Sequence, residues 1–148
     1  MKKKKYLDIY RFKKSKKIKL PLFQAGVSAG FPSAADDYID KKLDLNDFLI
    51  EHPSATFFVR AFGDSMADAG IHSGDILIVD RALEPSHRSV VIAFLDGEFL
   101  VKRVHMKSNK IFLEPENPDF ASIEVGEEMD FEIWGVVTNV IHSFRKKL

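Results

Sequence analysis

The chain has 148 residues and an apolar fraction of 45%, enough for one globular domain with a core and an additional arm. Its formal charge is zero, and it has no cysteine, which excludes disulfides, thiolate metal sites and thiol catalysis and suits a cytoplasmic protein. No apolar run approaches the roughly 20 residues needed to cross a bilayer, and the lysines at the start are not followed by the apolar stretch of a secretory signal.

The neutral total conceals a polar split. Residues 1–19 carry ten Lys/Arg and one acid, Asp8, for a net +9, and the remainder carries 12 against 21, for −9. A basic stretch of this kind can solvate as a tail, or bind nucleic acid, an acidic partner or the chain's own acidic body. Residues 1–32 show no sustained period and are punctuated by Pro21, Gly26, Gly30 and Pro32, so they read as an extended arm. Ser33 followed by Asp36 resembles a cap and predicts a short helix through Tyr38 and Ile39. Asp44 predicts a second cap, on a helix carrying Leu45, Phe48 and Leu49 that ends before Pro53.

Beyond Pro53 the pattern changes to short β-rich runs: 56–62, 76–79, 90–95, 98–104, 110–113 and 131–141. Asp96-Gly97 is a strong two-residue hairpin turn, and 131–141 is long enough to bend. The expected fold is therefore mostly β: a compact antiparallel sheet or partly closed barrel, with short N-terminal helices and an extended N-terminal arm.

Three features carry chemistry. Ser65 follows Gly63-Asp64 at the end of a strand, where glycine permits a tight turn and successive backbone N–H groups can converge on one point. Lys102 lies within Phe99-Leu100-Val101-Lys102-Arg103-Val104. Strand alternation places Leu100, Lys102 and Val104 on one face and points Arg103 the other way, to solvent. A serine needs a base to attack a carbonyl. A lysine serves only when neutral, and lowering its ordinary pKa of about 10.4 to near 7 takes roughly 4 kcal/mol of desolvation. The third feature is Ala29-Gly30 in a segment of small residues that can lie deep in a narrow cleft. Taken singly, each has a plainer reading: an edge-strand lysine that blunts aggregation, a turn or cap serine, and a flexible linker. His52, His72, His87, His105 and His142 show no metal-ligand spacing, and no Gly-rich loop cradles a phosphate, so neither metal nor cofactor is expected. No motif supports a Ser–His–Asp triad built on Ser65, although the sequence does not exclude one.

Read in order, the segments Ala29-Gly30-Phe31-Pro32-Ser33, Asp44-Leu45-Asn46, His52-Pro53-Ser54-Ala55-Thr56, Gly63-Asp64-Ser65-Met66, Gly74-Asp75-Ile76-Leu77-Ile78-Val79-Asp80, Asp96-Gly97-Glu98-Phe99 with Val101-Lys102, and Gly135-Val136-Val137 resemble the LexA/UmuD family of self-cleaving serine–lysine peptidases. The resemblance covers about residues 20–142. It implies Ser65 as nucleophile, Lys102 as general base, the N–H groups of Asp64 and Ser65 as oxyanion hole, and Ala29–Gly30 as the bond cut. Three segments follow: a basic arm, 1–29, removed by cleavage; a linker with short helices, 30–54; and a β-rich peptidase domain, 55–148. The resemblance further implies a homodimer, self-cleavage promoted by a RecA filament on single-stranded DNA, and a shortened product that joins a UmuC-type polymerase in error-prone translesion synthesis. It assigns no role to residues 1–19, whose direct contact with nucleic acid stays an open reading. Two other functions compete: a LexA-like repressor, which needs a helix-turn-helix that 29 residues containing Pro21 and Gly26 hardly accommodate, and a non-catalytic interaction module with a basic nucleic-acid-binding arm.

Overall fold

The structure is a computed structural model that describes residues 9–11, 16–23 and 39–145. The fold divides into two compact units, Met1–Phe12 with Ser54–Leu148, and Lys13–Pro53.

In the smaller unit β2 (Leu20–Phe23) pairs antiparallel with β3 (Ile39–Leu43), and α1 (Leu45–Leu49) follows directly. Asp44 caps α1 as its sequence predicts. One carboxylate oxygen accepts from the Asp47 amide at 3.1 Å, and the other accepts from the Ile18 amide at 2.7 Å. The helix expected through Tyr38 and Ile39 is corrected at its described end. Ile39 opens a strand facing Phe23, so long-range pairing with Leu20–Phe23 overrides the weak local cap signal. Tyr38, Ser33 and Asp36 lie outside the described residues.

The larger unit is one open antiparallel sheet of eight strands in the order β1-β4-β5-β10-β6-β7-β8-β9. Its members are β1 (Ile9–Arg11), β4 (Thr56–Arg60), β5 (Ile76–Asp80), β6 (Val90–Leu95), β7 (Glu98–Lys107), β8 (Lys110–Glu114), β9 (Ile123–Glu124) and β10 (Phe131–Ile141). The long strand β10 is central. Its first half pairs with β6 and its second half with β5, with register shifts at Ile133/Gly135 and Val137/Asn139. Bulges of this kind bend a strand and let one segment serve two neighbours.

Two apolar clusters fill the unit. One gathers Val59, Ala61, Met66, Ile71, Leu77, Val79 and Ile92; the other gathers Val91, Ala93, Leu95, Val104 and Leu113. The hairpin turn sets the register that matters for the site. Asp96 and Gly97 both take positive φ, at 47° and 86°, as a type I′ turn requires. That turn places Leu95 opposite Glu98 and Val91 opposite Lys102. Strand β7 extends past its predicted end at Val104 because Ser108 and Asn109, at φ 52° and 60°, close a second two-residue hairpin with Lys107 opposite Lys110.

Candidate functional site

Ser65 sits in the loop that leaves β4. The strand stops at Arg60, short of the expected Phe62, because the next residues turn to the 72–75 loop. Ala61 N donates to Asp75 O at 2.8 Å, and Gly74 N donates to Ala61 O at 2.7 Å. Gly63 adopts φ 87°, a left-handed conformation that glycine takes without steric cost, and its N–H donates to Ser73 Oγ at 3.2 Å. Met66, 2% exposed, anchors the loop in the first apolar cluster, and a 3-10 turn, Ala67–Ala69, follows.

Lys102 reaches this loop from the middle of β7. Its Nζ lies 2.8 Å from Ser65 Oγ. The charged amine donates to the hydroxyl oxygen; the neutral amine accepts the hydroxyl proton. Lys102 is only 8% exposed, and burial lowers its pKa from the ordinary value of 10.5. No carboxylate among the described residues lies within ion-pairing distance to restore it. The amine and hydroxyl open on a cleft of about 90 Å³ lined by Ala61, Phe62, Gly63, Met66, Ile71, Phe99, Leu100 and Val101. Phe62 and Phe99, 47% and 37% exposed, give the cleft an apolar rim.

Arg103 corrects one detail of the sequence reading. It alternates away from Lys102 but does not end in solvent. Its Nε donates to the Glu116 carboxylate, and its Nη1 donates to Arg88 O at 2.7 Å. The structure brings Ser65, Lys102 and the Asp64–Ser65 backbone together. Ala29 and Gly30, proposed as the cut bond, lie outside the described residues, as do Lys2 to Lys5.

Among the described residues the amides of Asp64 and Ser65 donate to no protein acceptor. Two free donors beside a hydroxyl are what an oxyanion requires. No histidine among the described residues hydrogen-bonds Ser65. His142 Nδ1 instead lies 2.6 Å from Asp75 Oδ1, while Asp75 Oδ2 accepts from the His72 amide at 2.8 Å. Asp75 therefore forms a turn, as its sequence suggests, and also holds the C-terminal segment.

Sequence reasoning missed the turn at Glu116-Asn117. Glu116 N donates to Ser65 O, and Asn117 Nδ2 donates to Asp64 O, both at 2.8 Å. The dipeptide Asn117-Pro118 is a turn signal that marks this loop, but nothing in it indicates which distant backbone it supports.

Similarity to known proteins agrees with this arrangement. Residues 21–138 match the family described as Peptidase S24-like. Protein SamA of Salmonella typhimurium is 50% identical over 125 residues, covering 84% of this chain and 86% of that protein. Protein MucA of Escherichia coli is 43% identical over 121 residues, covering 81% and 82%. The LexA repressor of Ectopseudomonas mendocina is 36% identical over 141 residues, covering 86% and 69%. With these matches spanning most of its length, the chain belongs to the peptidase S24-like family, as its LexA/UmuD-like motifs indicated.

Proposed function

We propose that the protein is a self-cleaving serine peptidase that cuts its own Ala29–Gly30 bond. The observation that carries this reading is the 2.8 Å approach of a buried amine to a loop hydroxyl. Neutral Lys102 takes the Ser65 proton as Oγ attacks the Ala29 carbonyl carbon. The N–H groups of Asp64 and Ser65 hold the resulting oxyanion. Collapse breaks the C–N bond, Lys102 returns its proton to the departing Gly30 amine, and water then hydrolyses the acyl-serine.

By its LexA/UmuD resemblance the protein acts in the SOS response to DNA damage. It works in the cytoplasm as a homodimer, and a RecA filament on single-stranded DNA stimulates its cleavage. The shortened form serves as an accessory subunit of a UmuC-type, error-prone translesion polymerase. Among the described residues no helix is long and apolar enough to cross a membrane.

The test is incubation of the purified full chain from pH 7 to 10, with and without RecA and single-stranded DNA, read by intact mass. Cleavage should accelerate as pH rises and Lys102 loses its proton, yielding a product that begins at Gly30. Ser65→Ala and Lys102→Ala should each abolish it. A chain that stays whole under every condition refutes the peptidase reading and favours a non-catalytic interaction module.

A further inference from the structure

The two peptide groups around the Ser65 α-carbon are both held from outside the loop, by the same turn. Asp64 C=O accepts from Asn117 Nδ2 at 2.8 Å and from Ala67 N at 3.2 Å. Ser65 C=O accepts from Glu116 N at 2.8 Å. A trans peptide is planar, so its C=O and N–H point in opposite directions. The Asp64 carbonyl and the Ser65 N–H belong to one such plane. Fixing the carbonyl toward Asn117 therefore fixes the direction of the Ser65 N–H, which has no acceptor among the described residues. The same contact polarises that N–H and makes it a stronger donor.

The orientation of the Asn117 amide follows from its partners. Its Oδ1 accepts from the Asp119 amide at 3.0 Å, and its Nδ2 faces a carbonyl. The reverse placement would set two donors and two acceptors against each other. The turn is itself anchored to the strand that bears the amine. Arg103, next to Lys102, donates to the Glu116 carboxylate, and Glu116 O accepts from Asp68 N at 2.8 Å.

We propose that Asn117 is a positioning residue for self-cleavage, whose side-chain amide aims the Ser65 N–H at the oxyanion formed on the attacked carbonyl. This rests on the peptidase reading above. It predicts a role confined to the oxyanion side of the reaction and separate from the proton transfer at Lys102.

The experiment compares self-cleavage rates of the full chain and of Asn117→Asp across pH 7 to 10. Aspartate has the same shape and keeps an oxygen for Asp119, but it presents an acceptor to Asp64 O. Deleting an oxyanion donor outright lowers rates by about 10²–10³-fold. Loss of its orientation should lower the plateau rate roughly 10–100-fold. Asn117→Ser, too short to reach Asp64, should behave alike, and circular dichroism and melting temperature confirm folding. The pH midpoint, which reports Lys102, should not move in the uncharged Asn117→Ser; the aspartate adds a negative charge that itself favours the protonated amine, so its midpoint is not used.

Cleavage of the folded variants at the parental rate overturns the proposal, as does a displaced midpoint in Asn117→Ser, which would place the effect on Lys102. Unfolding of both variants also overturns it, since Asn117 would then be a stability element. If the parental chain cuts itself at no pH, it is the peptidase reading that has failed, and the proposal fails with it.

Discussion

Replacing Lys102 by methionine should remove activity and at the same time stabilise the fold. An ammonium has three hydrogens to donate, and the only hydrogen-bond partner of Lys102 Nζ among the described residues is Ser65 Oγ. The group is 8% exposed, so water replaces the missing partners only in part. A buried donor left unsatisfied costs about 1–3 kcal/mol, more for a charged group. Methionine, one atom shorter than lysine and unbranched, leaves an apolar end in a cleft that Met66, Leu100 and Val101 also line, without that penalty. Lys102→Met should therefore raise stability at pH 7 by about 1–3 kcal/mol, or several degrees in melting temperature. The pH dependence has a definite sign. Burial lowers the native pKa of Lys102 below the unfolded value, so unfolding takes up a proton between the two. The parental chain thus gains stability as pH rises through that window, and the variant lacks this contribution. Their difference is full below the native pKa and closes toward 10.5. Urea unfolding at successive pH values, with intact mass verified, measures it. A variant less stable than the parent at pH 7, or a gain that does not shrink as pH rises, would refute the argument that a strained, desolvated charge sits beside Ser65.

Two further outcomes probe the scaffold. A Cβ on Gly135 would lie 2.6 Å from Val79 Cγ1, a stiff side chain with no exposure, and 3.3 Å from Arg81 Cγ. Gly135→Ala should cost about 1–3 kcal/mol in denaturant unfolding, and a neutral result would show that β10 shifts freely at its bulge. In the smaller unit, hydrogen bonds from the Asp47 and Ile18 amides lower the Asp44 pKa from 3.8. Its contribution is fully present above that value and is lost as pH falls through the lowered native one. Amide exchange at Asp47 should accelerate in Asp44→Ala at neutral pH, and unchanged exchange would refute the cap.

Much of the β framework was legible because its determinants are local. The runs at 90–95 and 131–141 match strands residue for residue, and Asp96-Gly97 forms the hairpin that its two positive φ values demand. Ser108-Asn109 makes the same kind of turn without a glycine, which is why β7 reached three residues further than expected. The two-residue β9 and the three-residue β1 are too short to carry a period. They exist by pairing with β8 and β4, and that pairing is a property of the assembled sheet. Ile39–Leu43 was misread for the same reason, since its partner lies some 20 residues upstream in a stretch with no pattern of its own.

The site divides along the same line. Ser65 and Lys102 stood out because each carries a reactive atom in a particular local setting, a glycine turn in one case and an apolar strand in the other, but local pattern alone left plainer readings open and the family resemblance supplied their roles. Their distance of 2.8 Å was not legible: 37 residues separate them, the contact depends on hairpin register, and three strands lie between β4 and β7 in the sheet. Asn117 contributes no reactive atom at all. It acts through the far side of a peptide plane, and a sequence shows only that it turns. The proposed serine–lysine centre thus draws on two kinds of residue. One kind reacts and leaves a trace in local pattern. The other kind fixes backbone direction and is found only when every carbonyl in the loop is assigned a donor. Arg103 belongs with the second kind. Alternation predicts that it leaves the Lys102 face, and in doing so it reaches the Glu116 turn that holds the Ser65 carbonyl, so the same two-residue period that buries the amine also ties down the loop it must meet.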